Sequence, residues 1–179
     1  MNISEEYIRV VNARFQSMKD LGDKTLEQLS DEELLWSLND ESNSIAVIIK
    51  HINGNMVSRW TDFLTSDGEK EWRNRDEEFT VTTYSKAKLI EYWDSGWRVM
   101  LHSLMGVKEE DLLKTVYIRG EGHLVIEAIE RQLSHYSYHI GQIVYIAKQI
   151  KGSEWSTLSI PKGKSEEFKR ELMEKYRDQ

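Results

Sequence analysis

The chain contains no cysteine. Disulfides, thiolate-ligated zinc, iron–sulfur clusters and a cysteine nucleophile are therefore excluded. Any bound metal must rest on His, Asp, Glu or solvent. A single proline, Pro161, stands in 179 residues, which leaves long stretches free to form unbroken helices. The longest apolar runs, Ile45 to Ile49 and Ile143 to Ala147, are five residues each, far short of a membrane span. Basic excess is missing as well: 24 Lys and Arg face 31 Asp and Glu, for a net charge of −7. An acidic chain is poorly suited to nucleic-acid backbones or anionic membranes, so neither partner is expected. The N-terminal MNISEEYIRV has no basic stretch followed by an apolar one, so no signal peptide and a cytoplasmic location are expected.

What is present is helical periodicity. Hydrophobic residues make up 39% and charged residues 31%, a balance that supports one globular domain spanning 1–179. Apolar residues recur at helical spacing over about 5–20, 43–64, 85–105 and 125–151. Ser30-Asp31-Glu32-Glu33 reads as an N-cap with acids in the first turn of a short helix. Thr115 to Ile118, a Gly-containing turn and His123 to Val125 read as a β-hairpin just before the last long helix. Ser165 to Asp178 reads as a charged terminal helix. The polar segment TSDGEKEWRNRDEEF, from Thr65 to Phe79, reads as a solvated loop; its Arg73 and Arg75 could hold an anion, but nothing requires it. The expected fold is all-α: a four-helix bundle with a small hairpin and a short C-terminal helix. Gly54, inside the second long helix, implies close packing or space left for another group.

The histidines carry the chemistry. His135 and His139 form an H-x-x-x-H pair, about 40° apart around a helix axis and about 6 Å apart along it, so both can reach one ion. The residue after the first His is Tyr136, so this is not the H-E-x-x-H motif. Arg131, Gln132 and Gln142 share their face, which otherwise lacks ordinary surface charge. The second long helix repeats the arrangement around His51, with Asn55 and Ser58 on its face beside an apolar stripe. Two helices that each present a histidine among uncharged polar groups point to one shared interior site. Three neutral imidazoles would leave coordination positions open, as in reactive rather than structural sites. The plainer alternative is that these are hydrogen-bonded core histidines. Asn55, Ser58 and Gln142 are candidates to orient ligands or substrate. His123, beside the hairpin turn, is a candidate acid–base or outer-shell group, or simply a turn residue.

The single histidine in SIAVIIKHINGNMVSRW, followed far downstream by RQLSHYSYHIGQIVYIAK, resembles the DinB/YfiT-like superfamily of bacterial four-helix-bundle proteins. The strings SRWTDFLTSDGEKEWRNRDEEF and LSIPKGKSEEF are similar to its YizA-like branch, of unknown function. The resemblance implies a metal on His51, His135 and His139 with water completing the sphere, and a homodimer. It also implies chemistry on low-molecular-weight thiols, since related branches include thiol-using transferases and an isomerase.

Two classes of function follow. One is a metal-dependent enzyme holding Zn²⁺ or Ni²⁺, the ions that suit imidazole. It would act as an S-transferase joining a thiol to an electrophile, or as a metal-assisted hydrolase. The other is a non-catalytic dimeric bundle that binds a metal or small ligand. No catalytic residue is assigned. Ligand imidazoles must be neutral, so metal affinity should fall as pH drops through their protonation range, expected between pH 7.5 and 5.

Overall fold

The computed structural model describes residues 2–80 and 83–177. Among these it is mostly helical, with seven α-helices and one two-stranded antiparallel sheet. The first helix, α1 (Ile3–Glu27), opens on a capping box in which Asn2 and Glu5 each satisfy the other's backbone N–H. It runs further than its sequence pattern suggests, straight through Leu21-Gly22-Asp23. The reason is tertiary: a Cβ at Gly22 would lie 2.3 Å from the Trp93 ring, so the glycine is where the indole packs rather than where the helix ends.

The short α2 (Asp31–Leu35) opens at the expected N-cap, Ser30, which forms a capping box with Glu33. Ser44 then caps α3 (Ile45–Trp60), which is buried over most of its surface. This helix stops four residues before the expected Leu64, and Asp62 just beyond it has φ 51°. A four-residue helix, α4 (Arg75–Glu78), lies in the segment read as a solvated loop. The long α5 (Lys86–Met105) packs along α3, and α6 (Val125–Lys151) packs on α1; α1 also meets α5, and α3 meets α6. Gly96 permits the close approach of α5, since a Cβ there would stand 3.1 Å from the Asn53 Cα.

Between α5 and α6, β1 (Thr115–Ile118) pairs with β2 (Glu121–Leu124) in the register Ile118↔Glu121. A two-residue turn, Arg119-Gly120, joins them, with φ of 57° and 75°, the left-handed geometry such hairpins demand. The chain ends in α7 (Ser165–Lys175), which buries no residue. No helix among the described residues is long and apolar enough to cross a membrane.

The core is aromatic. Trp60, Trp93, Trp97, Tyr136 and Phe15 are all but fully buried and meet largely edge-to-face. Its polar atoms are mostly satisfied internally: Trp60 Nε1 donates to the Tyr136 hydroxyl at 3.1 Å, and that hydroxyl donates to Asn55 Oδ1 at 2.9 Å. This chain locks α3 against α6 one turn from His51 and immediately beside His135.

Candidate metal centre

His51 on α3 meets His135 and His139 on α6. The Nε2 atom of His135 lies 3.3 Å from that of His51 and 3.2 Å from that of His139. One ring nitrogen from each of the three falls within 4.8 Å of the others. Nitrogens held about 2.0–2.1 Å from a common ion at tetrahedral angles stand about 3.3 Å apart, a spacing that the two pairs made by His135 match.

The opposite side of each ring decides which nitrogen carries the proton. His51 Nδ1 lies 3.0 Å from Glu78 Oε2, His139 Nδ1 lies 2.8 Å from Gln142 Oε1, and His135 Nδ1 lies 3.4 Å from Gln132 Oε1. All three partners are oxygen acceptors, so each Nδ1–H donates outward and each Nε2 keeps its lone pair. Three lone pairs then converge, an arrangement that repels itself unless a cation lies among them. The outward bonds also fix ring orientation, as outer-shell partners of ligating histidines do.

Glu78 is the residue that the sequence did not disclose. It belongs to the charged segment read as a solvated loop, yet its side chain is 9% exposed and that of Arg73 only 2%. Arg73 grips the carboxylate with Nε at 2.8 Å and Nη2 at 3.0 Å. Burial pushes the Glu78 carboxyl up, but hydrogen bonds from His51 and Arg73 and the Arg73 charge outweigh it and hold the group below its ordinary range. It thus stays ionised and anchors His51. The carboxylate passes directly over Gly54, where a Cβ would lie 2.0 Å from Oε1. The space implied by that glycine is filled by Glu78.

The other candidates are distributed as follows. Asn55 and Arg131 line the cavity beside His51 and His135, and Gln142 supports His139. Ser58 is fully buried, but its hydroxyl donates to the Gly68 carbonyl at 2.7 Å and accepts from Lys70 N at 3.1 Å. It fastens the loop after α3 rather than facing the triad. His123 sits on β2, with Nδ1 3.1 Å from Glu127 and Nε2 3.5 Å from Glu121, away from the three histidines. Tyr138 flanks the site, its ring 4.3 Å from that of His139.

Burial first, then the neighbouring His139 and His51, depress His135 to about 3. Burial, opposed by the Gln142 hydrogen bond, takes His139 to about 4. Both shifts favour the neutral imidazole, the form a metal would require. For chelator-treated protein the sign is definite. The unfolded chain protonates His135 and His139 below about pH 6.5 while the folded chain does so only at about 3 and about 4, so their contribution to stability is full above 6.5 and falls as pH drops below it. The melting temperature of metal-free protein should decrease from pH 7 to pH 4.5, with a shallower slope in His135→Ala. Equal slopes in scanning calorimetry would contradict the depressed values.

No curated protein matches this chain. A family model does, over residues 2–164, a span that contains every residue of the histidine site and ends just before α7. On that match the chain belongs to the DUF1572 family, whose proteins are of unknown function.

Proposed function

We propose that this protein is a metal-dependent enzyme of the DinB/YfiT-like four-helix-bundle type, with a divalent ion held by His51, His135 and His139. The observation that carries the reading is the convergence of three Nε2 lone pairs, each set by an outward Nδ1–H bond to Glu78, Gln132 or Gln142. Zn²⁺ or Ni²⁺ suits an all-imidazole set. When bound, such an ion supplies Lewis acidity, enough to lower the pKa of water to about 7 on zinc or to hold a thiolate. The protein's share is to keep the imidazoles neutral, to orient them and to present substrate from the adjoining cavity. With no cysteine in the chain, a sulfur nucleophile would come from a low-molecular-weight thiol. Thiol transfer to an electrophile is the reaction we favour, with metal-assisted hydrolysis second. A cytoplasmic homodimer completes the proposal; exposed Trp36, Leu38 and Tyr145 are apolar surface that a second copy would cover.

The test is elemental analysis of tag-free protein purified without added metal, followed by turnover assays pairing cellular thiols with electrophiles, and with esters and amides. About one transition-metal ion per chain, with turnover that a chelator removes, is the expected result. Protein that neither carries nor takes up Zn²⁺ or Ni²⁺ would return the histidines to the core.

A further inference from the structure

The cavity at the triad has a volume of about 350 Å³, and five arginines line it: Arg59, Arg73, Arg75, Arg119 and Arg131. They come from α3, the loop before α4, α4 itself, the hairpin turn and α6, so the fold assembles them from distant sequence. The chain has ten arginines and fourteen lysines. Half of the arginines line this one cavity and none of the lysines does. A surface that merely balanced charge would use both residue types; the planar guanidinium fork is the group that grips carboxylate or phosphate oxygens in pairs.

Local acids do not neutralise the cluster. Glu78 pairs with Arg73, and Glu69 is shared among Arg59, Arg73 and Arg119. Asp67 takes the backbone N–H groups of Arg119 and Gly120 at 2.9 and 2.8 Å and also stands in the field of Arg59. Glu127 likewise stands in the field of Arg131. Five positive charges against these four negative ones leave an excess on the wall of a protein whose net charge is −7. Arg75 and Arg131 have no ion-pair partner among the described residues. Arg59, 6% exposed at its side chain, retains a buried Nε–H with no acceptor, an uncompensated donor of the kind a ligand satisfies.

The hairpin turn supplies an independent sign. Its first residue has φ 57°, a position that ordinarily falls to Asn, Asp or Gly. Here an arginine accepts the strained backbone, and its Nε reaches Glu69 at 2.9 Å at the edge of the cavity.

We infer that the substrate is a small organic dianion, bearing a phosphate monoester or two carboxylates, whose charged end lies on Arg75, Arg119 and Arg131 and whose reacting end faces His51 and His135. The inference rests on the proposed metal site for its reactive half and on the arginines alone for its binding half. The volume admits a metabolite and excludes a polymer.

The test is calorimetric titration of the full-length protein with orthophosphate and with succinate, against chloride at equal ionic strength, with metal content measured on the same samples. Wild type should bind at least one dianion in the millimolar range or tighter. Arg75→Gln and Arg131→Gln should each weaken binding about tenfold while metal content stays as in wild type, since neither side chain props up a buried acid. Chelator-treated protein should still bind, more weakly. Phosphate binding alone would assign the tetrahedral anion and succinate alone the dicarboxylate. Binding of neither would overturn the inference, as would binding that vanishes with the metal and ignores both arginine variants. Anion binding by protein that takes up no metal would sink the metalloenzyme reading and leave the arginine site standing.

Discussion

Replacing His135 with alanine is expected to abolish metal binding and leave the protein folded. His135 is the shared vertex of the triad, with Nε2 3.3 Å from His51 and 3.2 Å from His139. Removing it leaves two imidazoles that no longer enclose a position common to three. The loss in Zn²⁺ affinity should exceed the roughly 10–100-fold that an outer-shell change costs. The metal-free fold has little to lose by comparison. The His135 ring is only partly buried, its single outward bond to Gln132 is long at 3.4 Å, and burial already works against its charged form. Competition titration with a chromophoric chelator and a thermal melt on the same variant decide the matter. Were His135→Ala to lose most of its stability while wild type bound no metal, the histidines would be hydrogen-bonded core and nothing more.

The two halves of this site differ in how far the sequence disclosed them, and the difference has a physical basis. Signals written within one helix were legible. Ser30 caps the short helix that its acids announced, α6 runs over 125–151 as its periodicity implies, and His135, His139 and Gln142 sit at i, i+4 and i+7 on one helix. His51 could be matched to them because its helix repeats their polar-beside-apolar pattern. The segment around Arg73 and Glu78 offered no such period, and its charge density argued for water. What buries it is mutual neutralisation: Arg73 loses exposure only because Glu78 and Glu69 close around it, and each needs the others to be placed first. Gly22 and Gly54 show the same limit from the other side. Each announces that something comes close, but only the tertiary structure identifies Trp93 over the first and Glu78 over the second.

The same reasoning makes the loop after α3 part of the histidine site's support. Gly68 N donates to the Tyr117 carbonyl at 2.8 Å, and its own carbonyl takes the Ser58 hydroxyl at 2.7 Å. Lys50 Nζ reaches the carbonyls of Glu77 and Thr80 at 2.9 and 2.8 Å. The loop is thus tied to β1 at one end and to α3, one residue before His51, at the other. Glu78 is delivered to His51 by this double anchoring, not by its own short helix. Four residues in α4 are too few to be stable alone.

Gly54→Ala turns that arrangement into the second large prediction. A methyl at position 54 would stand 2.0 Å from Glu78 Oε1 and 2.7 Å from Cδ, so the carboxylate must leave. It cannot swing aside freely, because Arg73 holds both of its oxygens and His51 one of them. In a helix interior the substitution alone should stabilise by about 1 kcal/mol. Against that, a buried guanidinium loses its main partner, a class of change that costs about 3–5 kcal/mol when no other acid remains. Arg73 keeps Glu69 at 3.5 Å, so a net loss of about 1–3 kcal/mol is expected. The larger effect falls on the ligand: His51 loses the acceptor that fixes its tautomer and ring, and Zn²⁺ affinity should fall about 10–100-fold. Glu78→Gln provides the control. It keeps an acceptor for His51 Nδ1 and needs no room over Gly54, so its metal affinity should lie between wild type and Gly54→Ala. If Gly54→Ala bound Zn²⁺ as tightly as wild type, Glu78 would be only a structural partner of Arg73. If Glu78→Gln weakened binding as much as Gly54→Ala does, the carboxylate charge, rather than the orientation it imposes on His51, would be what tunes the site.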